Sequence, residues 1–373
     1  MKSNYVLEVS WGCPSEKWPL NGVFQFDQAK AICEAGRNVV FLALDLRSLR
    51  RWRHWGITRS HKNGIDIYEY NFPLGGFPPS IKYKIQDFAF SRSIKRIEKD
   101  FGKPDVIHVH TTQQAISITD YCLENNVPYI VTEHITPVFE GSFIEKRKKQ
   151  ALINSKMTVS VSNALAKDIK KSYGVDSVVI PNIVDGSIFQ YSPKEKKNYF
   201  EFLAAASMSY GKGFDVLIKA FASLHDVNGE SRLHLTIMGD GPERNEIEKL
   251  TKEYGIADLV TFTGSYSRIQ FAEELAKSDC FVLTSRSETF GIVYIEALAT
   301  GTPVIATKCG GPEDIVNDSN GLLVDIDDIN GLTSAMKKAL VEVTSYDNSR
   351  IAEDCKANYS SSSVAERLLT ILD

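Results

Sequence analysis

Between Phe281 and Val316 the chain reads FVLTSRSETFGIVYIEALATGTPVIATKCGGPEDIV, and this order of textures admits few folds. The apolar run Phe281 to Leu283 reads as a buried strand. A polar turn, Thr284 to Thr289, follows it. A helix then starts near Gly291 and stops at Gly301, a residue suited to a helix C-terminus. The β-branched run Pro303 to Thr307 forms the next strand, and the diglycine Gly310-Gly311 leads into a helix opening with Pro312. Strand, loop, helix, strand, glycine turn, helix is the pattern of a parallel sheet, which takes nucleotides at the C-terminal ends of its strands.

Two glutamates, Glu288 and Glu296, stand in this stretch with seven residues between them. Glu288 falls in the loop at the strand end, where a carboxylate can reach hydroxyls placed over the sheet. Glu296 falls about one and a half turns into the helix, where it can accept the hydroxyls of a ribose. The amides of Phe290, Gly291 and Ile292 lie between them at a helix N-terminus, which suits an anion or a sugar oxygen.

The segment resembles the donor site of the retaining glycosyltransferases of family 4, which carry the GT-B fold. The resemblance extends along the chain. VIPNIVDGSIF (Val179 to Phe189) is similar to the interdomain segment and VSNALAKDI (Val161 to Ile169) to the helix before it. GKGFDVLIKAF (Gly211 to Phe221), IMGDGPERNEIE (Ile237 to Glu248) and VTFTG (Val260 to Gly264) resemble successive pieces of the second domain. The resemblance implies an α/β fold of two Rossmann-like doubly wound domains facing a cleft. The first domain spans residues 1–183 with a returning C-terminal helix in 355–373, and the second spans 184–354.

Composition is compatible with this. The chain has 373 residues, enough for two domains, with 43% hydrophobic and 24% charged residues, as in a globular protein. It holds no apolar run long enough for a membrane span, and the N-terminus lacks the pattern of a signal peptide. Six scattered cysteines with no Cys-x-x-Cys read as buried thiols in a reducing cytoplasm. Charge is uneven: residues 1–185 hold 25 basic and 19 acidic side chains, leaving 18 basic and 28 acidic in the remainder. The basic excess gathers in Arg47 to Lys62, with Trp52 and Trp55, in Ile81 to Arg96, and in Glu145 to Lys149. Such stretches suit the inner face of an anionic membrane as well as plain solvated surface. Nucleic acid is excluded as a partner by the acidic whole and the lack of any matching motif.

The first half alternates strands and helices: Tyr5 to Val9, a helix over Val23 to Ala35, then Val39 to Leu44, Asp105 to His110, Pro128 to Thr132 and Met157 to Ser162. Here the resemblance points to three residues. Gly22 matches the turn where backbone approaches the donor diphosphate, although Asn21 stands where the family often has a second glycine. His110 matches a histidine on the acceptor side, and His134 the active-site histidine beside the donor sugar.

In the second domain Lys212 resembles the lysine that neutralises the leaving diphosphate, Gly213 lets the backbone approach it, and Gly241 lies in the turn expected near the base. The family's usual arginine is absent, because Ala206 and Ser207 occupy its place. Arg286, Arg244 and the hydroxyls of Ser207 and Ser209 are the candidate substitutes. The resemblance implies a sugar nucleotide as donor, UDP-sugar before GDP-sugar, with no cofactor and no metal. His134, Glu288 and Lys212 would be catalytic, and Gly22, Gly213, Gly241, Arg286, Phe290, Gly291, Ile292 and Glu296 would hold the donor. The acceptor would be a glycan or lipid-linked hydroxyl in cell-surface polysaccharide synthesis. Two other readings remain open: a catalytically degenerate nucleotide- or glycan-binding subunit, and a sugar-nucleotide epimerase of the same fold.

Overall fold

The computed structural model describes residues 4–46, 55–72, 77–195, 197–228, 233–342 and 346–373. The chain divides into two compact units, Met1–Ile183 with Ser361–Asp373, and Val184–Ser360. The second division falls at Ser360/Ser361. Residues 355–360 therefore belong to the second unit, where the Cys355 thiol meets the carbonyl of Ile295.

In the first unit the order is β1 (Tyr5–Ser10), α1 (Val23–Glu34), β2 (Asn38–Leu46), β3 (Gly56–Lys62), β4 (Ile65–Phe72), α2 (Pro79–Phe101), β5 (Val106–His110), α3 (Thr112–Asn125), β6 (Tyr129–Glu133), α4 (Ser142–Ile153), β7 (Met157–Ser160), α5 (Asn163–Tyr173) and β8 (Val178–Val179). The sheet order is β3-β4-β2-β1-β5-β6-β7-β8, and only the β3–β4 pair is antiparallel. Strands β1, β5 and β6 are buried throughout, as sheets covered by helices on both faces require. Strand order reverses between β1 and β5, and ligands of such sheets bind beyond the strand ends at that point.

The hairpin β3–β4 lies between β2 and the long α2, in a stretch where the sequence shows no clear strand pattern. Asn63 (φ 53) and Gly64 (φ 77) make its turn, the pair favoured where both central residues must be left-handed. Part of the Arg47 to Lys62 stretch is thus an edge strand. Arg59 is held by Asp66 at 2.9 Å and Asp100 at 3.5 Å and lies over the rings of Tyr68 and Phe101, so it serves the fold. Trp55 packs on Phe72, and residues 47–54, including Trp52, lie outside the described residues.

The second unit runs β9 (Phe200–Ala205), α6 (Phe214–Asn228), β10 (Leu233–Met238), α7 (Arg244–Glu253), β11 (Val260–Gly264), α8 (Arg268–Lys277), β12 (Cys280–Leu283), α9 (Ile292–Ala299), β13 (Val304–Thr307), β14 (Gly321–Val324), α10 (Ile329–Glu342) and α11 (Asn348–Tyr359). Its all-parallel sheet has the order β11-β10-β9-β12-β13-β14, the doubly wound dinucleotide-binding order, with its switch point between β9 and β12. The helix expected from Pro312 is a single 3-10 turn, Gly311–Asp314, because Asn317 to Asn320 already form the turn into β14. The last helix, α12 (Ser361–Leu372), returns to the first unit. Val364, Ala365, Leu368 and Leu372 join Phe26, Ala29 and Ile32 of α1 in one core, and Arg37 pairs with Asp373 at 2.6 Å.

Candidate active site

At the switch point of the second unit, the loops leaving β9 and β12 carry Lys212 and Glu288. Lys212 ends a one-turn helix, Tyr210–Lys212, after which Gly213 (φ 64) turns the chain into α6. A side chain at Gly213 would put its Cβ 2.1 Å from the carbonyl oxygen of Thr284, so only glycine lets the two loops touch. Across that contact the Lys212 ammonium donates to the Glu288 carboxylate, which also accepts from Ser285 Oγ at 2.9 Å. The Glu288 backbone bridges to Gly310: its amide donates to Cys309 and its carbonyl accepts from Gly311 at 2.8 Å. The diglycine turn therefore clamps Glu288 in place. Helix α9 begins three residues after Thr289, with Gly291 (φ 94) as its N-cap. Phe290 is buried, and Ile292 opens the first turn, whose amides lack intrahelical acceptors.

Four of the expected site residues have partners or packing within the unit. Glu296 is buried, and its carboxylate accepts from Arg268 Nε at 3.2 Å, so it is held by a cation the sequence did not single out. Arg268 opens α8 and lies over the ring of Phe189. Arg286 is committed elsewhere: to Asp215 at 3.0 Å, Asp327 at 2.8 Å and the carbonyl of Tyr210 at 2.6 Å, with its guanidinium over the Tyr210 ring. It clasps one loop to the other instead of filling the place of the missing arginine. Arg244 is likewise paired, with Glu248 at 2.8 Å. Gly241 has a packing role, since a Cβ there would lie 2.3 Å from the Met208 carbonyl oxygen. The chain also spells Asp-x-Asp at Asp325-Ile326-Asp327, but Asp325 pairs with Lys308 and Asp327 with Arg286.

In the first unit, Gly22 (φ 66) caps α1, and a Cβ there would lie 2.2 Å from the carbonyl oxygen of Gly12, which explains the glycine without a ligand. At the neighbouring strand ends, five side chains form one buried chain of hydrogen bonds. Glu8 of β1 faces His108 of β5 in the sheet register. Its two carboxylate oxygens meet His108 Nδ1 at 3.0 Å and His110 Nε2 at 2.8 Å. His108 Nε2 meets Thr132 Oγ1 at 2.7 Å, and His110 Nδ1 meets His134 Nε2 at 3.1 Å. Burial pushes the Glu8 carboxyl up, but His108 and His110 outweigh it and hold it at about 2. Burial, reinforced by His108, takes His110 down to about 4 against the pull of Glu8. Burial also keeps His134 well below the ordinary histidine range. Glu133 turns to the other side of the strand and accepts from the amides of Thr112, His134 and Ile135, fixing the loop that carries His134. Thr111, directly after His110, has φ 79, a strained conformation for a β-branched residue.

The sequence reading found His110 and His134 but passed over Glu8 and His108. Their signal was an acid inside the apolar strand YVLEV and a second histidine two residues before His110, on the same strand face. Glu8, His108 and His110 could each offer one atom to a common metal ion, but all three atoms are already engaged in hydrogen bonds to one another.

Comparison with known proteins agrees with this fold. Residues 29–187 match the family model described as Glycosyltransferase Family 4, and residues 187–352 that described as Glycosyl transferases group 1. A lipopolysaccharide core biosynthesis glycosyltransferase of Rhizobium meliloti is 37% identical over 132 residues, 35% of this chain and 36% of that protein. The match therefore spans well under two thirds of that relative's length. A Bacillus subtilis protein assigned to teichuronic acid biosynthesis as a glycosyltransferase is 26% identical over 89% of this chain and 88% of its own. Among solved structures, sucrose-phosphate synthase from Thermosynechococcus elongatus superposes with a TM-score of 0.78 at 19% identity, covering 99% of this chain and 98% of that one. Anabaena HepE in complex with UDP-glucose gives 0.73 at 16% identity, covering 99% of each chain. With the two models covering residues 29–352 in turn, the chain is of the family 4 type among glycosyltransferases and has the GT-B fold of two Rossmann-like units.

Proposed function

We propose that this protein transfers a hexosyl unit from a nucleotide-diphosphate sugar, UDP-sugar before GDP-sugar, to a hydroxyl of a glycan or lipid-linked acceptor, with retention of configuration and without a metal. One observation carries the reading. Lys212, Glu288 and the first amides of α9 converge on the switch point of the second unit's sheet. Departure of a nucleoside diphosphate builds negative charge on phosphate oxygens, and a fixed ammonium with helix-terminal amides stabilises it. In the free protein Glu288 occupies the ammonium. A bound diphosphate takes Lys212 over and leaves the Glu288 carboxylate for sugar hydroxyls. Glu296, oriented by Arg268, holds the ribose. One protein of this fold, Anabaena HepE, was solved both with UDP-glucose and with UDP and glucose, which supports uridine as the base.

The acceptor side rests on the first unit. Along α2, Ile81, Lys84, Phe88, Arg92 and Lys95 are exposed at helical spacing, and Val138, Phe139, Phe143, Lys146 and Lys149 are exposed on and before α4. Mixed bulky apolar and basic side chains suit an anionic membrane surface, where a lipid-linked acceptor would lie. This puts the candidate membrane contact on α2 and α4, away from Arg59. Among the described residues no helix is long and apolar enough to cross a membrane.

The degenerate reading draws on the missing arginine, since both Arg286 and Arg244 are paired within the fold. A panel of UDP- and GDP-sugars separates the two. Release of nucleoside diphosphate from one donor, lost in Glu288→Ala and Lys212→Ala, establishes the transferase. Thermal stabilisation by a nucleotide with no turnover under any acceptor extract establishes the binding subunit.

A further inference from the structure

The buried chain Glu8–His110–His134 has a consequence for which atom of His134 a ligand meets. A carboxylate can only accept, so the nitrogens facing Glu8, His108 Nδ1 and His110 Nε2, must both carry hydrogen. Thr132 Oγ1 then donates to His108 Nε2. A neutral His110 with its hydrogen on Nε2 has a bare Nδ1, which can only accept, so His134 donates through Nε2. A neutral His134 with hydrogen on Nε2 leaves Nδ1 bare. That Nδ1 is buried with the Asn182 carboxamide beside it, and as the amide stands neither the ring nitrogen nor the carboxamide oxygen meets a well-aligned donor. With the carboxamide oxygen turned toward the ring this corner is one donor short, a deficit that either a turn of the Asn182 amide or a ligand hydroxyl can fill.

We propose that Glu8 is a positioning residue: through His110 it fixes His134 as the Nε2–H tautomer, so that a bare Nδ1 accepts a hydrogen bond from a sugar hydroxyl. The inference rests on the reading of His134 as a ligand-binding residue and adds what sets its polarity. Burial of Glu8, His108 and His110 at 0–1% exposure keeps water from supplying the alternative partners that would let the tautomers mix. The depressed proton affinities of His110 and His134 agree with neutral rings, and that of Glu8 with an ionised carboxylate.

The test is the nitrogen NMR of the imidazole rings in the full chain, with histidine labelled and without ligand. A His134→Gln spectrum assigns the resonances. The expected wild-type pattern is a protonated Nε2 and a bare Nδ1 at His134 near neutral pH. A protonated Nδ1 overturns the proposal, as does a pattern that changes on treatment with a chelator, which would mean an ion shared by Glu8, His108 and His110. The functional arm inverts the chain without changing its shape. Glu8→Gln offers one acceptor and one donor, and Thr132→Val removes the partner His108 would need to change tautomer. In the double variant the switch falls on His110 and passes to His134. Relative to Thr132→Val alone, His134 should show hydrogen on Nδ1, and donor hydrolysis should fall about tenfold, the scale of one hydrogen bond turned from attraction to repulsion. An inverted tautomer with an unchanged rate overturns the role given to Glu8. Should no donor be hydrolysed by the wild type, the assignment of His134 as a ligand-binding residue fails, and the ring spectra alone judge the tautomer.

Discussion

Taking the protein from about pH 8 to pH 5 should cost the first unit about 2 kcal/mol of stability through His110 alone, with His134 adding to it in the same direction. The sign follows from where the protons sit. His110 is held at about 4 in the folded chain and returns to the ordinary 6.5 when unfolded. Above that ordinary value neither state binds the proton and its contribution is fully present. Below it the unfolded chain takes up a proton that the folded chain refuses, so stability is lost progressively until the pH reaches the folded value. From the ordinary value to pH 5 is about 1.5 units, and at about 1.4 kcal/mol per unit this gives the 2 kcal/mol. His134, also depressed by burial, acts likewise. Glu8 is depressed to about 2 from 4.5, so its contribution fades only below that window, and Glu133, raised by burial, opposes the loss only near the carboxylate range. The assay is urea unfolding followed by tryptophan fluorescence. All four tryptophans, Trp11, Trp18, Trp52 and Trp55, lie in the first unit's span, so the signal reports that unit. His110→Gln should remove one proton from the uptake on unfolding. Equal stability at both pH values, or an unchanged slope in His110→Gln, would refute the reasoning.

Three further outcomes are expected. Lys212→Ala should lower donor turnover by about 100- to 1000-fold, the cost of losing one preorganised charge donor, with the melting temperature nearly kept; a loss under tenfold would remove Lys212 from the leaving-group site. Arg268→Met removes the guanidinium from which the buried Glu296 carboxylate accepts and should destabilise the second unit by about 3 kcal/mol by circular dichroism. It should also weaken nucleoside diphosphate binding measured by calorimetry, and unchanged affinity would detach Glu296 from the ribose. Gly213→Ala drives a methyl into the Thr284 carbonyl and should lower stability by more than about 1 kcal/mol and displace Lys212, read together in melting temperature and turnover.

The alternation of apolar strands and helices, the stretch around Glu288 and Glu296, and the matching motifs along the chain were enough to read both Rossmann-like units and to pick out candidate residues in the second, because these features are local. Strand and helix periods are written residue by residue, and the loop that carries Glu288 lies beside the helix that carries Glu296 in the chain itself. The hairpin Gly56–Phe72 was missed although its Asn63-Gly64 turn is in plain view, because the exposed edge strand lacks an apolar run. The roles of Arg286 and Arg268 could not be read, since Asp215 lies 71 residues from Arg286 and Glu296 lies 28 from Arg268. Ion pairs are chosen by which loops the sheet order brings together. The same holds for Glu8 and His110, 102 residues apart and joined only because β1 and β5 pair at the switch point. The sequence by itself determined the two Rossmann-like units, the family resemblance and the candidate residues, because each is written in local patterns. The tertiary structure decided which charges are paired within the fold and which strand-end side chains meet in the histidine chain, because burial and partner geometry exist only once distant strands lie side by side.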